Sequence, residues 1–147
     1  MRYFTRQWYA SDAPDAEERF AQYRSYLSSV RARLPPALLE LDARHTLHDA
    51  RVLSIDATAQ AGPLRIAMRG WDAQLSFPVR YILEFDGVLE RAPPDLLDAE
   101  ATAKWGELAY WECAALEGHT EVSMLFTSGA ELRVGFRDFR FAHERVV

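Results

Sequence analysis

Cysteine is almost missing from this chain. Cys113 stands alone in 147 residues, so no intramolecular disulfide can form and a cysteine-rich zinc site is excluded. Lysine is as scarce: Lys104 is the only one, and every other fixed cation is an arginine. Positive charge is also in deficit, with 17 Lys and Arg against 22 Asp and Glu, a formal net charge of −5 and a pI near 5.4. A nucleic-acid surface normally shows as a basic excess or patch, so this balance argues against one. No stretch approaches the ~18 apolar residues of a membrane span, and "MRYFTRQWYASDAPD" has no signal-peptide core. The expectation is a soluble cytoplasmic protein with neither nucleic acid nor membrane among its partners. Arginine in place of lysine, beside many alanines, is the composition of a GC-rich bacterial coding sequence.

What is present is ordinary for a globular domain: 49% hydrophobic and 27% charged residues. The length suits one domain, and about two-thirds of the unfolded chain's surface would be buried. No internal repeat, low-complexity tract or linker interrupts residues 1–147.

The aromatic N-terminus, with Tyr3, Phe4, Trp8 and Tyr9, is too apolar for a free tail and should dock on the domain, with one short helical turn. A helix is predicted over residues 14–34. Ser11 or Asp12 would cap it, Pro14 would lie in its first turn, and Phe20, Tyr23, Leu27, Val30 and Leu34 form an apolar stripe. "PPALLELDAR" reads as a second helix packing through Leu38, Leu39 and Leu41. From residue 47 the period falls to two. Leu47, Leu53, Ile55 and Ala57 share a strand face, "QAGP" and Gly70-Trp71-Asp72 are turns, and Leu64, Ile66 and Met68 alternate between them. Residues 75–85 alternate most cleanly, with Pro78 marking an edge or a bulge. "DLLDAEATAK" fits a short helix or a loop. Three strands close the chain, roughly 105–116, 121–127 and 131–143, with "EGHT" and "SGAE" as hairpin turns. Within the last, the apolar phase shifts near Arg137-Asp138, where a β-bulge would reconcile the halves. The fold class is therefore α+β: a helical part over residues 1–46, packed on a largely antiparallel, meander-type sheet of about six strands over residues 47–147.

Four groups carry possible chemistry. In "RHTLHDARVLSID", residues 44–56, His45, His48 and Asp49 would form a metal set if the segment were helical. At a helix-to-strand junction the two imidazoles diverge instead, so no cofactor or metal is expected, and a metal protein using these residues is the alternative. Trp105, Tyr110 and Trp111, beside Glu107, Glu112 and Cys113, can line a ligand pocket. Glu107 and Glu112, five positions apart on a strand, face opposite sides, which disfavours a paired-carboxylate mechanism. Arg133, Arg137 and Arg140 are expected to pair across strands with Glu112, Glu117, Glu121 and Glu131, Arg137 being a candidate partner-binding residue. Cys113 has nothing local to activate it. No Walker loop, GxGxxG, GxSxG or HExxH motif occurs, so the chain leans away from an enzyme.

The opening "MRYFTRQWY", through Tyr3, Phe4, Thr5, Trp8 and Tyr9, resembles a bacterial family filed as domain of unknown function 4085. "LHDARVLSID", through Leu47, His48, Asp49, Arg51, Leu53 and Ile55, carries the same resemblance. The family has no agreed activity, so the resemblance implies no catalytic residues. It implies that "LHDARVLSI" is a recurring entry into a strand. Together these readings lead to a small acidic protein that acts by binding another protein or a small ligand, as immunity-type proteins do. A structural part in a larger assembly is a further alternative.

Overall fold

The computed structural model describes residues 1–57 and 62–146. Three helices come first: α1 (Arg6–Ala10), α2 (Ala16–Val30), which tightens into a 3-10 turn at Arg31–Arg33, and α3 (Pro36–Arg44). Thr5 caps α1 by accepting from the Trp8 amide. The junction with α2 is tighter than the sequence implies. Asp12, Ala13 and Asp15 all take positive φ, the Trp8 indole donates to the Pro14 carbonyl (2.7 Å), and Asp15 precedes the helix without a side-chain cap bond. The helix therefore starts after Pro14, and neither Ser11 nor Asp12 caps it.

Eight strands follow among the described residues: β1 (Arg51–Ala57), β2 (Leu64–Trp71), β3 (Pro78–Asp86), β4 (Glu90–Ala92), β5 (Leu108–Leu116), β6 (His119–Phe126), β7 (Glu131–Phe136) and β8 (Asp138–Arg145). All pairings are antiparallel. The α+β reading holds, but the single six-stranded meander does not: there are two four-stranded sheets, ordered β1-β2-β3-β8 and β4-β7-β6-β5. The cause lies at Arg137. The phase shift there is a corner rather than a bulge, because β7 ends in one sheet and β8 begins in the other. The Arg137 amide donates to Asp86 across the corner (3.0 Å), where β3 likewise gives way towards β4. Phe136 and Phe139, of opposite parity, are thereby both buried, 6.1 Å apart by ring centroids. A second corner joins the entries of β1 and β5, through Asp49 N–H to Leu108 O, Leu108 N–H to Ala50 O and the Arg51–Glu107 bridge.

One core fills the space between the sheets, built from Ile66, Tyr81, Leu83 and Phe85 against Met124, Phe126, Val134 and Phe136. Leu38 and Leu41 of α3 join it, with Val30 and Leu34. "DLLDAEATAK" resolves into α4 (Ala99–Ala103), capped by Asp98.

Several local expectations change. Leu53 is 53% exposed, because a register shift between Val52 and Ser54 turns it outward; Val52, Ile55 and Ala57 pack on the core instead. Gly70 lies in β2 rather than in a turn. A Cβ there would meet that of Ala50 at 2.9 Å, so the β1–β5 corner closes only on glycine. The turn is residues 72–77, organised by the Asp72 carboxylate accepting from the Ser76 and Phe77 amides. Pro78 opens β3, where its missing N–H costs nothing. Half of the "QAGP" turn, Gln60 and Ala61, lies outside the described residues.

Candidate functional site

β5 is an edge strand of its sheet, and an edge presents unpaired N–H and C=O groups. Here side chains cover most of them. The Tyr23 hydroxyl accepts from the Cys113 amide (2.8 Å) and the Tyr26 hydroxyl from the Ala115 amide (3.0 Å). Arg33 donates to the Leu116 carbonyl (3.2 Å). Tyrosines three apart on α2 thus stand in for a neighbouring strand. At the other end the β1 corner occupies Leu108, and the His48 ring meets the Ala109 carbonyl at 3.3 Å.

Between these two covered stretches lies a cleft of about 470 Å³. Residues Leu108 to Trp111 of β5 form its floor, Phe20, Tyr23, Arg24 and Leu27 of α2 one wall, and Asp42, His45, Thr46, Leu47 and His48 the other. Such a volume is within the range of small-ligand sites. Asp42 stands at the rim, and the protein mass on its inner side pushes its carboxyl above the usual carboxylate range.

The N-terminal segment completes the cleft from outside. Phe4 and Trp8 are buried, and Phe4 stacks on Tyr110 with centroids 5.3 Å apart. Its anchor is Glu112, 6% exposed, whose carboxylate accepts from three consecutive amides, those of Arg2, Tyr3 (3.0 Å) and Phe4 (3.1 Å). Glu112 and Glu107 have separate tasks, since Glu107 pairs with Arg51 at 2.9 Å.

The sequence candidates divide. Tyr110 and Trp111 line the cleft. Trp105 does not: it is buried against Phe126, 5.0 Å by centroids. Arg137 is also elsewhere, at the β7–β8 corner facing a shallow depression with Glu117 and His119. The expected pairing of Arg133, Arg137 and Arg140 with Glu112, Glu117, Glu121 and Glu131 is absent among the described residues. β8 pairs with β3, so Arg140 meets Glu84 (2.6 Å) and Asp86 (4.0 Å), while Arg133 has Ser123 and Ala92 as cross-strand neighbours.

His45, His48 and Asp49 are not one ligand set. His45 ends α3 and turns to Tyr81, Phe141 and His143, the last 4.5 Å away by ring centroids. His48 turns to β5 and to Asp49, 3.4 Å from its Nε2. Among the described residues no three His, Cys, Asp or Glu side chains gather as a metal site. Burial and the neighbouring His143 hold the His45 pKa below its ordinary value. Cys113 is buried with its Sγ 3.4 Å from the Tyr23 hydroxyl. Desolvation pushes its thiol up to about 11, which suits packing and not nucleophilic attack.

Sequence reasoning missed the helical wall. Phe20, 36% exposed, was expected in the core; Asp42 carried no signal. The Tyr23–Tyr26 spacing was a usable one, because two hydroxyls on an apolar helix face need partners. Comparison with protein-family models, with curated proteins and with solved structures finds no match. Among the described residues no helix is long and apolar enough to cross a membrane.

Proposed function

We propose that this chain is a small binding protein of bacterial, cytoplasmic type, and that its ligand or partner occupies the cleft along β5. One observation carries the reading. The cleft is the place where an aromatic wall, half-buried apolar surface and titratable groups converge, with Phe20, Tyr110 and Leu27 facing Asp42, His45 and His48. The two motifs that resemble domain of unknown function 4085 meet there too. Phe4 comes from the first, Leu47 and His48 from the second, and all three line the same cleft. Membership of that family is part of this proposal. The acidic surface suits a basic partner, as for an immunity-type protein.

The test is a fragment library added to the ¹⁵N-labelled protein. Amide shifts should cluster on residues 109–111, 20–27 and 45–48. Shifts that gather on another face, or no shifts at all, count against the cleft as the site.

A further inference from the structure

We infer that the cleft takes a short extended peptide, about three residues long, whose backbone pairs with Trp111 as an added β-strand. The inference rests on the cleft being a binding site, and it names the chemistry of what binds.

Strand parity makes the argument. Trp111 pairs with Met124, Glu112 with Ser123 and Cys113 with Val122, in unbroken register. In an antiparallel ladder alternate residues direct both N–H and C=O away from the partner strand. The Cys113 and Ala115 amides point away from β6, since both donate to tyrosine hydroxyls of α2. Trp111 has their parity, so its N–H and C=O face the cleft. Neither group meets another backbone or side-chain partner among the described residues. The edge is therefore covered at Leu108 and Ala109, covered again at the amides of Cys113 and Ala115, and between them Trp111 leaves both its N–H and its C=O open.

An N–H and a C=O on one residue, in the plane of a sheet, match one residue of an antiparallel strand. The uncovered stretch is roughly 14 Å at ~3.4 Å per residue, room for about three residues. Both of its ends are blocked, by the β1 corner and by Tyr23. A long strand cannot run through, so the fitting occupant is a short peptide. Phe20, Leu27 and Tyr110 border the rung and favour an apolar central side chain.

The experiment titrates the ¹⁵N-labelled full chain with acetyl-Ala-Leu-Ala-amide. The Trp111 amide should move downfield and exchange more slowly with solvent, with smaller shifts at Ala109 and Phe20. N-methylation of the leucine removes the donor to the Trp111 carbonyl and should weaken binding about tenfold or more. The same three residues in the middle of a twelve-residue peptide should bind more weakly than the tripeptide. A Trp111 amide that does not move, an N-methylated peptide that binds equally well, or a long peptide that binds as tightly would overturn the inference. If fragments still perturb residues 109–111 while the tripeptide does not, the peptide assignment fails and the cleft stands as a site. If both are silent, both readings fall.

Discussion

Replacing Tyr23 by phenylalanine removes one oxygen and leaves the Cys113 amide buried without its acceptor. Leaving such a donor unsatisfied costs about 1–3 kcal/mol, so Y23F should lower the unfolding free energy by that amount, read as a lower chemical-denaturation midpoint at unchanged slope. An unchanged midpoint would mean that water replaces the hydroxyl. Cys113 itself should resist a thiol reagent in the folded state, because it is buried and its pKa lies near 11 instead of 9. The folded-state pKa is raised, so stability is level below pH 9 and declines as pH climbs from 9 to about 11, where the unfolded chain releases the proton first. Tyr23, raised by desolvation, steepens the same alkaline loss. At this scale the sequence was partly legible. Cys113 read as inert because nothing local activates its thiol, and Glu112 read as unable to work with Glu107. Nothing in one dimension could show Glu112 taking three amides from residues 2–4, since that contact depends on where the N-terminal segment lands.

Among the elements, α2 was the most legible and still half misread. Its periodicity located the helix, but of the expected stripe only Tyr23, Val30 and Leu34 are buried, while Phe20 and Leu27 stay partly exposed. A half-buried leucine loses less than a core one. Leu27→Ala should therefore destabilise by about 1–2 kcal/mol and Leu34→Ala by about 2–4 kcal/mol, measured as paired denaturation curves. The reverse ranking would return Leu27 to the core. On β1 only the entry was misread: a bulge between Val52 and Ser54 turns Leu53 outward and puts Val52 on the core face with Ile55 and Ala57, and a bulge leaves no mark in an alternation this short. Conversely, the phase shift at Arg137 was visible, and only its meaning was wrong. A bulge and a corner between sheets produce the same parity change, and they differ only in which strand lies alongside. The cleft follows from the same limit: its three sides come from segments far apart in sequence, and although Tyr110 with Trp111 and His45 with His48 were each named beforehand, nothing in the sequence joined the two pairs.

For the whole molecule, acid is the informative stress. His45 packs on Tyr81, Phe141 and His143 where α3 meets β8, and its folded-state pKa lies below the ordinary 6.5. A depressed folded pKa gives stability that is present above 6.5 and lost as pH falls through the folded value. The melting temperature should therefore drop as pH goes from 7 to 5, and His45→Phe, which keeps a ring at the site, should flatten that slope. An equal slope in the variant would move the acid sensitivity to other groups. Architecture was legible as far as α+β and antiparallel pairing, which short connections dictate. The division into two sheets was not, because it arises where two strands bend together. The anchoring of the N-terminal segment carries a kinetic meaning as well. Its amides and Glu112 are separated by 108 to 110 positions, so the segment has no docking surface until β5 is in place on β6. Ring closure over that span is entropically slow. In refolding, the burial of Trp8 should trail the formation of the sheets, leaving a transient state in which the aromatics between the two sheets are already packed while those of the first ten residues remain in water.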